Sequence, residues 1–183
     1  MKINQLRKII LTGLCAAIIF VGVSLFRIPI PALVGRPFIH FGNTFAVLTV
    51  LILGFRYGAV AAMIGLGLFD LLNGYAATAW LTVLEALVLA AVVAVVFKGV
   101  NYQQKPRVLK LYAVSLAAGL IKLLTSWLSG IVESMMVGTS FSVAVIRAFL
   151  SLPATLINSI VLFLVVPLLY VALAKTVLQR LKI

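Results

Sequence analysis

The chain is 183 residues long, 64% hydrophobic and 10% charged, with 15 Lys and Arg, 3 acids and a net charge of +12. Soluble domains carry about a quarter charged residues, so this composition excludes an ordinary water-soluble fold and predicts an all-α integral membrane protein. The bases lie at the borders of apolar stretches and form no aromatic-interleaved face, which excludes nucleic acid and leaves the anionic headgroups of a lipid bilayer as their counter-charge.

Six apolar stretches predict six transmembrane helices, over 9–26, 42–54, 57–73, 78–97, 108–130 and 149–173, in a single domain covering 1–183. A helix needs ~20 apolar residues to cross a ~30 Å hydrocarbon core, so the short second and third spans predict a thinned or broken region. Eleven bases fall in alternate gaps: Lys2, Arg7 and Lys8, then Arg56, then Lys98, Lys105, Arg107 and Lys110, and finally Lys175, Arg180 and Lys182. Only Arg27, Arg36 and Arg147 lie in the opposite gaps, and Lys122 lies within the fifth span. The positive-inside rule then places both termini in the cytoplasm of a multi-pass cell-membrane protein.

At the amino terminus, Lys2, Arg7 and Lys8 precede an apolar run of about 18 residues with no A-x-A-like cleavage site, which reads as a first helix and not as a signal peptide. A single cysteine, Cys15, excludes an internal disulfide or a Cys-rich metal site. Gly13 and Ala17 form a small-xxx-small pair that suits either a partner helix or internal packing. The first external loop, Arg27 to Phe41, carries Pro29, Pro31 and Pro37; it is too proline-rich for a helix and too apolar to float in water, so it is expected to fold back as a lid.

Polar residues then enter the spans at one depth only. His40, Asn43 and Thr44 open the second span, and Asp70 and Asn73 close the third, with Tyr75 just beyond. In the fourth, Thr78, Thr82 and Glu85 share one helical face beside Trp80, and nothing polar follows until Lys98. The fifth carries Lys122, Ser126, Ser129 and Glu133 in its later half, with Trp127 among them and Ser115 and Gly119 further in. Residues 134–146, with Met135, Met136, Gly138 and Phe141, have the length of an interfacial piece, serving as a second lid or as a plain connector. The sixth span repeats the fourth: Arg147, Ser151, Thr155 and Asn158 form a stripe, after which 160–174 is almost wholly apolar.

Polar groups are expensive in hydrocarbon, and stripes that coincide in depth on five helices predict a ligand cavity open to the outside. The candidate substrate-binding residues are His40, Asn43, Asp70, Asn73, Tyr75, Trp80, Glu85, Lys122, Trp127, Arg147 and Asn158. Lys122 with Glu85 reads either as a structural ion pair or as a ligand contact. No phosphate loop, H-E-x-x-H or G-x-S-x-G motif occurs, so neither ATPase, metal centre, cofactor site nor hydrolase is indicated, and ATP energy would have to come from another subunit. The alternative, a self-sufficient channel or secondary carrier, calls for a polar path across the midplane, whereas polarity here stops halfway.

H-F-G-N at His40 to Asn43, G-F-R-Y-G at Gly54 to Gly58 and F-D-L-L-N-G-Y at Phe69 to Tyr75 together resemble the substrate-binding S component of energy-coupling factor (ECF) vitamin transporters. The resemblance covers the whole six-span chain. It implies a small membrane protein that binds a vitamin or precursor from outside and works with a transmembrane coupling subunit (EcfT) and two cytoplasmic ABC ATPases, toppling in the bilayer to release substrate inward. Gly13 and Ala17 match the small-residue pair through which the family's first helix meets the coupling subunit, with Gly in place of the first Ala. The motifs look most like those of the pyridoxine or hydroxymethylpyrimidine type, with pantothenate, riboflavin and folate left open. The His-bearing amino terminus of cobalt and nickel carriers is not matched by Met1 to Lys8.

Overall fold

The computed structural model describes residues 3–30 and 38–173, an all-helical bundle with one short two-stranded pairing. In chain order the elements are α1 (Ile3–Ser24), β1 (Ile28–Pro29), β2 (Phe38–Ile39), α2 (Gly42–Leu72), α3 (Ala79–Gly99), α4 (Val108–Met136) and α5 (Phe141–Leu173). All five helices are long and apolar enough to cross a membrane.

The second and third predicted spans are the two arms of α2. Gly54 is non-helical, at φ 77° and ψ 175°, a conformation open essentially to glycine alone. The chain reverses there. A Cβ on Gly58 would lie 2.5 Å from the Cα of Val50, and one on Gly42 would lie 3.0 Å from the side chain of Leu66, pairs equidistant from Gly54 along the sequence. The two arms are therefore an antiparallel hairpin, and the G-F-R-Y-G motif is its turn: Gly54 supplies the backbone conformation and Gly58 the room for Val50. Gly58→Ala is expected to cost about 1–3 kcal/mol through overpacking against backbone. Gly99→Ala, where a Cβ meets nothing within 4 Å, serves as the neutral control in a thermal-shift comparison.

Other boundaries moved outward. Helix α5 begins at Phe141, eight residues before the expected 149, and α4 runs on to Met136, so the supposed interfacial segment 134–146 is mostly the facing ends of two helices. The connector is Val137–Ser140, turned by Gly138 at φ 86°. With 33 residues, α5 is roughly 50 Å long, well beyond the ~30 Å hydrocarbon core. The apolar and small residues of 141–150 simply continue the helix.

Helix α1 buries Thr12, Ala16, Ile19 and Val23, spaced four, three and four, against α2, whose Gly65 lets Ile19 approach. Gly13 and Ala17 fall on its other, exposed face with Ile10, Leu14 and Ile18, and a Cβ on Gly13 would meet nothing within 4 Å. Internal packing is therefore not what these two residues serve. The largest core cluster joins Val47 to Leu51 of α2, Leu89 to Val93 of α3, Leu111 to Ala118 of α4 and Leu162 to Tyr170 of α5. It seals one half of the bundle with hydrocarbon. At that end lie the Gly54 turn and the α3–α4 connection, where the Lys8 ammonium sits 5.6 Å over the Tyr57 ring and Lys110 Nζ donates to the carbonyl of Asn101 at 3.2 Å.

Candidate functional site

The opposite half of the bundle holds a cavity of about 300 Å³. Five helices and the returning strand of the first loop build it, each from the part nearest that end: Val23 of α1, Phe38 and His40 at β2, Asn43, Phe69 and Asp70 of α2, Thr82 and Glu85 of α3, Lys122, Ser126, Ser129 and Glu133 of α4, and Ser151, Thr155 and Asn158 of α5. The polar stripes read at helical spacing in α3, α4 and α5 thus face one another across a common space. Leu66, Ala86, Leu89, Gly130 and Ala154 complete an apolar floor and wall.

The Lys122 ammonium is hydrogen-bonded to Glu85, forming the only ion pair among the described residues, and Ser126 donates to the same carboxylate oxygen at 3.4 Å. The pair ties α3 to α4 and lines the cavity at the same time. Asp70 is approached by the Thr82 hydroxyl, and Glu133 has no basic partner among the described residues.

Asn158 has a different task from direct solvent-facing display. Its Oδ1 accepts the backbone N–H of His40 at 2.9 Å and its Nδ2 donates to the carbonyl of Phe38 at 3.0 Å, so one carboxamide clamps β2 to α5. Strand β2 also pairs with β1, Ile28 opposite Ile39 and Pro29 opposite Phe38. The middle of that loop, with Pro31, Arg36 and Pro37, lies outside the described residues, so only the two ends of the expected lid are placed. Burial, and then the nearby Lys122 charge, lower His40 to about 4, so its imidazole is neutral near pH 7. Its Nδ1 accordingly accepts the N–H of Gly42 at 3.1 Å and caps the start of α2.

Of the residues expected to contact a ligand, His40, Asn43, Asp70, Glu85, Lys122 and Asn158 line the cavity, whereas Asn73, Tyr75, Trp80, Trp127 and Arg147 do not. Asn73 is the C-cap of α2, its Nδ2 donating to Phe69 O at 2.8 Å just before Gly74 at φ 89°. Tyr75 stacks on the outer side of the wall, ring to ring with Phe69 at 6.4 Å and 23°. Trp80 is half exposed on the surface of α3. Trp127 packs with Ile131, Ala144 and Ala148 at the α4–α5 contact, and Arg147 stands one turn above the polar part of α5. Phe69, Leu66 and Gly130 were not singled out as lining residues. Gly130 is there because α4 and α5 approach closely, a Cβ falling 3.1 Å from that of Ala148, and no sequence signal separates it from the chain's other glycines.

The sequence model of the family described as ECF-type riboflavin transporter, S component, matches residues 3–175. A solved structure described as "Structure and mechanism of the S component of a bacterial ECF transporter" superposes with a TM-score of 0.67 at 21% identity, covering 93% of this chain and 97% of that one. At that identity the likeness speaks for the fold. No curated protein matches the sequence.

Proposed function

Because the chain belongs to the ECF-type riboflavin transporter S component family, a family of membrane transport subunits, we propose that it is the substrate-binding subunit of an ATP-driven importer that captures a small heteroaromatic vitamin or vitamin precursor. The observation that carries this reading is the convergence of polar stripes from α2 to α5 on one cavity while the other half of the bundle is closed by an apolar core. Such a shape binds from one side and conducts from neither, which disfavours the channel or secondary carrier.

The same division supports the orientation. Arg56, Lys98, Lys105, Arg107 and Lys110 gather at the apolar end, so by the positive-inside rule that end, with both termini, faces the cytoplasm and the cavity opens outside. The hairpin arms of α2 then count as two crossings and the protein has six. Strand β2, the returning end of the first loop, is clamped to the cavity wall by Asn158, which supports reading that loop as a lid.

A volume of about 300 Å³ lies at the lower end of the range for small-molecule sites. Together with the aromatic walls Phe38 and Phe69, it suits a single heteroaromatic ring such as that of pyridoxine or hydroxymethylpyrimidine more closely than a three-ring ligand such as riboflavin, the ligand in the family's description. The chain carries no phosphate loop, so a transmembrane coupling subunit and two ABC ATPases supply the energy, with the exposed Gly13 and Ala17 face of α1 as the docking surface.

Native mass spectrometry of the detergent-solubilised protein from its host is expected to show one retained small heteroaromatic molecule, and a gentle purification is expected to bring ATPase subunits with it. Ion conductance in planar bilayers, with nothing retained, would decide for the channel instead.

A further inference from the structure

Resting on the reading of this cavity as a vitamin site, we propose that its ligand is a cation, a heteroaromatic ring bearing a protonated amine, held between Asp70 and Glu133. Besides His40, the acidic and basic side chains that line the cavity are Asp70, Glu85, Glu133 and Lys122. Lys122 is committed to Glu85, and no other ion pair occurs among the described residues. His40 is neutral and adds no compensating charge. Arg27 lies over the rings of Phe38 and Phe69 at 5.4 and 5.8 Å and does not line the cavity. Two carboxyl groups therefore line the cavity without an ion-pair partner among the described residues, an arrangement that a cation relieves and that an anionic ligand makes worse.

A second observation points independently to a ligand. Asn43, a residue only 6% exposed, lines the same cavity, and its carboxamide makes no hydrogen bond among the described residues. Buried amides are nearly always satisfied, so this one stands ready for a hydroxyl or ring nitrogen of the bound molecule. Phe38 and Phe69, whose ring centroids are 5.9 Å apart at 59°, put aromatic surface on the cavity wall for a ring to pack against.

The test keeps the ring and changes only the charge. Purified protein in detergent is titrated with pyridoxamine, pyridoxine and 4-pyridoxic acid, which carry a cationic, an uncharged and an anionic substituent on one pyridine ring, and with riboflavin as a large neutral probe. Pyridoxamine is expected to bind at least about 30-fold tighter than 4-pyridoxic acid, the scale of one buried charge pair, and Asp70→Asn and Glu133→Gln are each expected to shrink that preference. These isosteric changes remove charge without removing volume, and the ligand series on the unaltered protein stands even if a variant folds poorly. Equal binding across the series, a preference for the acid, or riboflavin binding that both variants leave untouched overturns the cation and leaves the vitamin site in place. Binding of none of the four overturns both.

Discussion

Asn158→Leu is expected to speed ligand dissociation by roughly 10- to 100-fold while the protein still folds. The side chain makes two hydrogen bonds to the strand that forms the cavity wall, accepting from His40 N and donating to Phe38 O. Leucine fills the space but leaves a buried N–H and a buried carbonyl without partners, at about 1–3 kcal/mol each, and every 1.4 kcal/mol is tenfold in an equilibrium. Part of that cost is relieved when β2 swings away to find water, so the penalty is read as an open lid and not as an unfolded bundle. Asn158→Asp retains the acceptor for His40 N–H and loses the donor to Phe38 O, and its dissociation rate is expected between the two. Leu162→Ala, one turn deeper at 1% exposure, is the control. It should lower thermal stability by about 2–5 kcal/mol without changing the dissociation rate of the folded fraction. Equal acceleration in Leu162→Ala and Asn158→Leu would mean that the cavity end has no special claim on the ligand.

The depth of the site was legible in the sequence because hydrocarbon penalises polar atoms so heavily that a stripe such as Lys122, Ser126, Ser129 and Glu133 has to face protein or a cavity. The four-and-three spacing then fixed which residues share that face, and the same phase in α3 and α5 gave Glu85 and Asn158. Aromatic and terminal residues carried no such constraint. Tyr75 and the ring of Trp127 pack against apolar neighbours as readily as against a ligand, the Trp127 indole N–H being left without a partner among the described residues, and Asn73 caps its own helix through Phe69 O. Arg147 lies on the continuation of the α5 stripe, but α5 is so long that this residue is carried past the cavity rim. Gly54 makes the second and third predicted spans the two arms of one hairpin. The two short apolar runs and the intervening G-F-R-Y-G were visible in the chain, whereas the reversal depends on a dihedral angle that composition does not encode.

Lys122→Met is expected to lower the melting temperature by roughly 10 °C, the largest effect of any single substitution in the cavity. Glu85 would be left as a mostly buried carboxylate with only the Ser126 hydroxyl at 3.4 Å for company. Removing one member of a buried pair costs about 3–5 kcal/mol, and a chain of this size loses about 2–4 °C per kcal/mol. The double variant Glu85→Gln with Lys122→Met removes both charges and should regain most of the stability, since the penalty belongs to the uncompensated carboxylate and not to the missing attraction. Ligand retention separates the two roles left open for this pair. If the pair does no more than fasten α3 to α4, retention returns with stability in the double variant. Both side chains line the cavity, so retention is expected to stay low there even when the melting temperature has recovered.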